Sequence, residues 1–117
     1  MIRKHPITVA RAVCCRQFRP SLTKLGNTFD EMTIDDFAAF DEFHVGGRQA
    51  TEHLIAQLDL SADGHVIDIG CGLGGAARFV ADRYGCRVTG IDLTEETVQT
   101  GSAINRWVGL DDRIDLR

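Results

Sequence analysis

Four glycines within six positions, Gly70, Gly72, Gly74 and Gly75, constrain this chain more than any other stretch of it. They follow His65-Val66-Ile67-Asp68-Ile69, where Val66, Ile67 and Ile69 are β-branched and apolar. That is the pattern of a short strand covered on both faces in a parallel sheet. The glycines remove Cβ atoms where a backbone turns sharply and lets a ligand approach closely. Helix-like Ala76 to Tyr84 comes next. A strand, glycine turn and helix in this order place a nucleotide-like ligand at the carboxyl end of a Rossmann-type sheet, facing a helix N-terminus.

Charge narrows the choice of nucleotide. Gly70, Gly72 and Gly75 satisfy G-x-G-x-x-G, so spacing alone leaves a dinucleotide open, and with it an NAD(P)-dependent oxidoreductase. Asp68, two positions before the first glycine, discriminates. A carboxylate there faces a pyrophosphate with like charge, which a partly buried site hardly screens. It suits a cation, and S-adenosylmethionine carries a sulfonium and an ammonium and no phosphate. A P-loop is excluded because no Lys-Ser or Lys-Thr follows the glycines. Arg87-Val88-Thr89-Gly90-Ile91-Asp92 reads as a second strand ending in an acid, where this architecture hydrogen-bonds a ribose diol. Both nucleotides have that ribose, so Asp92 does not choose between them.

Val-Ile-Asp-Ile-Gly-Cys-Gly-Leu-Gly-Gly from Val66, and Val-Thr-Gly-Ile-Asp-Leu-Thr-Glu-Glu from Val88 to Glu96, resemble the first two motifs of class I S-adenosylmethionine-dependent methyltransferases. The pattern is most similar to the small-molecule subgroup of sarcosine and dimethylglycine, tocopherol, sterol and quinone methyltransferases, from about Met32 to Arg117. The resemblance implies an α/β, Rossmann-like methyltransferase fold of which this chain is the first half, about three parallel strands with flanking helices, preceded by N-terminal helices. It also implies that Asp68, Gly70, Cys71 and Gly72 line the methionine end of the cofactor, partly through backbone atoms. Asp92 would take the ribose hydroxyls, and Leu93 would pack beside the adenine. The implied partner is a small-molecule methyl acceptor. Displacement at a sulfonium needs mainly positioning, so no catalytic residue is named.

With 117 residues the chain holds at most one domain. Residues 1–29 carry six basic residues and no acid, whereas residues 30–117 carry seven basic residues against all 17 acids. The acidic part argues against nucleic acid as a partner. No run approaches the roughly 18 apolar residues of a membrane span. The basic extension is expected to be disordered or a targeting segment, giving a cytoplasmic chain, or an organellar one if it is a transit peptide. The cysteines show no zinc spacing and are expected to be reduced thiols, with Cys71 a small loop residue whose N–H faces the ligand rather than a nucleophile.

The resemblance implies that residues 30–117 are the N-terminal part of a methyltransferase domain. Thr33 and Asp36 predict a capping box opening a helix with Ile34, Phe37 and Ala38 on one face, and its Phe37 to His44 end is expected to close over the methyl site. His44 there is expected to be structural rather than a base. Gly46-Gly47 breaks that helix, and Ala50, Leu54, Ile55 and Leu58 predict a second one packed on the sheet. In the helix after the glycines, Arg78, Asp82 and Arg83 are expected to point outward. Thr94 is the expected N-cap of a helix ending at Gly109, with Trp107 packing at its end, and residues 113–117 read as strand three. A sheet of this family continues beyond strand one. The chain is therefore expected to be the front of a longer methyltransferase, to complete its sheet with another chain, or to be a non-catalytic cofactor-binding fragment.

Overall fold

The computed structural model of the protein describes residues 32–42 and 44–117. The expectations for the basic segment 1–29 lie outside the described residues, as does Phe43 within the stretch from Phe37 to His44. Within them the order is α1 (Ile34–Asp41), α2 (Gly47–Ile55), β1 (His65–Ile69), α3 (Gly75–Tyr84), β2 (Arg87–Ile91), α4 (Glu95–Trp107) and β3 (Ile114–Leu116). The strands are parallel in the order β1-β2-β3, with His65 opposite Arg87, Ile69 opposite Ile91, and Val88 opposite Ile114.

Right-handed crossovers that advance across a sheet in one direction drop their helices on the same face. Accordingly, α3 and α4 lie over one face: an ideal Cβ on Gly74 or Gly101 would sit 3.1 or 2.7 Å from the same Leu116 methyl. Ala77, Val80 and Ala81 of α3 join Val88, Ile114 and Leu116 of the sheet in the main core. The opposite face is open, with Ile67 at 63% exposure, Ile69 at 83% and Ile91 at 42%. The expectation of a first strand covered on both faces is therefore corrected. Its apolar residues fit a two-sided burial that these helices supply on one side only.

The capping box of α1 is present: Asp36 N donates to Thr33 Oγ1 and Thr33 N donates to Asp36 Oδ2 at 2.8 Å. The apolar face of α1 packs on α4. Met32, Phe37, Phe40 and Ile104 form a second cluster, and Phe37 meets Trp107 edge-on at 5.9 Å between centroids. That bears out the helix-end role of Trp107. It also turns the Phe37 ring to α4 rather than over the glycine loop. α2 buries Thr51 and Ile55, while Leu54 and Leu58 remain 60% and 46% exposed. This helix packs beside α3 instead of laying its Leu54 stripe on the sheet. α4 stops ahead of Gly109, whose φ of +73° is the left-handed conformation expected there. Thr94 holds the N-cap position without a side-chain cap bond. The N–H of Thr94 itself donates to Asp92 Oδ1 at 3.0 Å, which ties Asp92 to the start of the helix.

Candidate functional site

The parallel register brings the carboxyl ends of β1 and β2 side by side, with Asp68 opposite Gly90 and Asp92 immediately beyond β2. The glycine loop between β1 and α3 is held at several points. Its floor is the Ile91 carbonyl, which accepts Gly70 N at 2.7 Å and Cys71 N at 3.1 Å. Its rim is Asp92, whose Oδ2 accepts Gly72 N at 2.9 Å. Its rear is the Leu73 carbonyl, which accepts Arg78 Nη2 at 2.7 Å. Toward the front, ideal Cβ atoms at Gly70 and Gly72 would meet nothing within 4 Å, although both residues have positive φ. These two positions therefore border open space beside the strand tips.

Two carboxylates, Asp68 and Asp92, stand at these strand tips. Asp68 is half-buried and lines an apolar groove of about 380 Å³ with His44, Thr51, Ile67 and Ala76. Burial pushes its carboxyl above the usual range, and repulsion from Asp92 adds to this while His44 opposes it. None of the ion pairs among the described residues includes Asp68. Asp92 moves the opposite way, because amides of Thr94 and Gly72 hydrogen-bond its charged form. Burial, with Asp68 and Asp92 nearby, lifts the Cys71 thiol to about 11, which keeps it protonated and removes it as a nucleophile. Cys71 packs inward over Gly90, where a Cβ would lie 2.8 Å from its sulfur. Its N–H, expected to face a ligand, is committed to the Ile91 carbonyl. Leu93 is fully exposed just past Asp92, an apolar surface at the edge of the site.

Two networks were not foreseen from the sequence. Arg78, expected outside, has no exposed surface. Its Nη2 meets Asp41 Oδ2 at 2.6 Å and its Nη1 meets Asn105 Oδ1 at 2.6 Å, so it joins α1, α4 and the loop. The available signal was the set of glycines around it: a Cβ on Gly75 would overlap Asp41, and one on Gly101 would lie 2.5 Å from the Leu73 carbonyl oxygen. The second network centres on Thr51, whose hydroxyl donates to buried Glu42 at 3.2 Å and lies 3.1 Å from His44 Nε2. The other ring nitrogen of His44, Nδ1, lies 3.4 Å from the Val45 carbonyl oxygen. Arg48 closes the network by donating to Glu42 at 2.8 Å and to Asp35 at 2.7 Å. Among the described residues no group of His, Cys, Asp and Glu is placed to hold a metal, and no helix is long and apolar enough to cross a membrane.

The family model described as mycolic acid cyclopropane synthetase matches residues 31–117. A probable fatty acid methyltransferase of Pseudomonas putida is 34% identical over 106 residues, covering 91% of this chain and 22% of that protein. A glycine/sarcosine/dimethylglycine N-methyltransferase of Actinopolyspora halophila is 32% identical over 65% of this chain and 14% of its own length. The chain thus spans about a fifth or less of these relatives. Among solved structures, the geranyl diphosphate C-methyltransferase of Streptomyces coelicolor A3(2), in complex with Mg2+, geranyl diphosphate and S-adenosyl-L-homocysteine, superposes with a TM-score of 0.56 at 30% identity. That match covers 58% of this chain and 26% of the other.

Proposed function

The chain belongs to the mycolic acid cyclopropane synthetase family, and from that premise we propose that it is the cofactor-binding part of an S-adenosylmethionine-dependent methyltransferase acting on a small molecule. The observation that carries this reading is the pair of carboxylates, Asp68 and Asp92, at adjacent strand tips around an open glycine loop. A sulfonium and an ammonium relieve the repulsion between these acids, whereas a pyrophosphate would aggravate it. When bound, S-adenosylmethionine supplies an activated methyl group.

The rest of the work belongs to the chain's own residues. Gly70 and Gly72 leave room for close approach to the backbone. Asp68 attracts the cationic end of the ligand from the groove side. Asp92, already fixed by Gly72 N and Thr94 N, offers the remaining lone pairs of its two oxygens to a ribose diol. Leu93 offers an apolar surface to the adenine. The relatives' acceptors include an amino acid and a fatty acid, and a small-molecule acceptor is proposed here on that likeness. The bare apolar edge and face of β1 support a further proposal, that additional chain, either the rest of a longer protein or a second subunit, extends the sheet there.

Isothermal titration of the chain with S-adenosylhomocysteine tests the reading. Wild type is expected to bind, Asp92→Ala to bind at least about tenfold more weakly, and NADH to give no heat. Binding of NADH with no response to S-adenosylhomocysteine, or S-adenosylhomocysteine binding by both Asp92→Ala and Asp68→Asn as tight as in wild type, overturns it.

A further inference from the structure

We propose that Arg78 is a positioning residue that couples α1 to the glycine loop, so that the N-terminal helix sets the affinity of the site for its adenosyl ligand. The inference rests on the cofactor site proposed above and adds a control element some distance from the strand tips.

The geometry is one of shared donor nitrogens. A single guanidinium nitrogen, Nη2, donates to Asp41 Oδ2 on α1 at 2.6 Å and to the Leu73 carbonyl of the loop at 2.7 Å. Its neighbour Nη1 donates to Asn105 Oδ1 at 2.6 Å and to the Gly101 carbonyl at 3.4 Å, both on α4. Arg78 and Asn105 are buried to within 1% of their surface, so water cannot replace a partner that is removed. Arginine's planar fork holds these directions simultaneously, which the single nitrogen of lysine cannot.

Leu73 lies between Gly72, which borders the open space, and Gly74, which leads into α3. Its carbonyl is wedged between Arg78 and the bare α-carbon of Gly101. Gly75 likewise leaves room for the Asp41 carboxylate over the first turn of α3. A displacement of Asp41 therefore turns the same nitrogen that fixes the loop. Coupling of this kind is reciprocal: whatever α1 contributes to ligand affinity, the ligand must return as stability of α1.

The test uses the 117-residue chain with S-adenosylhomocysteine as probe. Amide hydrogen exchange in wild type is expected to slow about tenfold at Phe37–Phe40 of α1 on saturation, although the strand tips lie on other elements. In Asp41→Asn and in Arg78→Lys the affinity is expected to fall about tenfold, and the ligand-dependent slowing in α1 is expected to vanish. A purely structural role would lower the melting temperature of the free protein while leaving the slowing intact in whichever variant stays folded. That result overturns the proposal, as does binding within about twofold of wild type in folded Asp41→Asn. The wild-type exchange measurement needs no variant, so the coupling stays testable even where Arg78→Lys misfolds. Failure of wild type to bind S-adenosylhomocysteine overturns the cofactor reading and the coupling together, whereas binding without slowing in α1 overturns the coupling alone.

Discussion

The two sides of the glycine loop are built on opposite terms. Behind it, Arg78, Asp41, Asn105 and the Leu73 carbonyl are buried and fitted so closely that Gly74, Gly75 and Gly101 have little or no room for a methyl group. In front of it, Gly70 and Gly72 border open space, Asp68 has no cationic partner among the described ion pairs, and β1 leaves Ile67 and Ile69 bare. The rear is closely packed, although Asp41 Oδ1 and Asn105 Nδ2 are buried there without a hydrogen-bond partner among the described residues, and the front has the form of a surface made to be covered. The same residue type therefore means different things a few positions apart: glycine behind the loop is a packing requirement, and glycine ahead of it is clearance for a ligand.

One methyl group placed on either side should break or sharpen this contrast. Gly101→Ala replaces a helical glycine, a change worth about 1 kcal/mol in favour of an ordinary helix. Here the new Cβ would lie 2.5 Å from the Leu73 carbonyl oxygen, so a net loss of about 2–3 kcal/mol is expected in urea unfolding. Gly72→Ala meets no atom and should cost only about 1 kcal/mol for its positive φ while abolishing S-adenosylhomocysteine binding. If the two variants lose equal stability, the distinction fails.

A smaller difference is expected on the sheet. Ile67→Lys on the open face should change stability by less than about 0.5 kcal/mol. Val88→Ala under the helices, at 1% exposure, should cost about 1–3 kcal/mol. Sedimentation of Ile67→Lys should also show less self-association than wild type.

The acid at the front gives a pH signature. Because burial and Asp92 raise the Asp68 pKa, the folded protein holds that proton to higher pH than the unfolded chain, so this group favours folding below its unfolded pKa. That contribution is lost as pH rises through the raised folded value, where the bare carboxylate becomes available to a cation. The preference for S-adenosylmethionine over its product, whose sulfur is neutral, should therefore grow as pH rises through that window, and should be flat in Asp68→Asn. Smallest of all, with its thiol near 11, Cys71 should remain unalkylated by iodoacetamide at about pH 8.

The front of the site was legible in the sequence because its signals are local. The glycine spacing, the acid two residues ahead of it and the acid ending the next strand fix their own positions through strand and turn geometry. The structure brings Asp68, Gly70, Gly72 and Asp92 to the carboxyl ends of β1 and β2, with Cys71 packed inward over Gly90 and Leu93 exposed just past Asp92. The rear was illegible because its partners are far apart in the chain: Asp41 and Arg78 are 37 residues apart, and Arg78 and Asn105 are 27 apart. A charged residue on a helix is placed outside by default, and only a distant acid reverses that. Thr94 fills the N-cap position that its residue type predicts, but its side chain makes no cap bond. The stripe of Leu54 and Leu58 was a sound helix signal, but a stripe does not name the surface that covers it.

Asp92 carries a consequence of its own. Both of its oxygens are tethered by backbone amides before any ligand arrives, so the side chain has no rotamers left to search. An incoming sugar thus meets an acceptor already aimed, and the entropy usually lost in stilling such a group was surrendered when the chain folded.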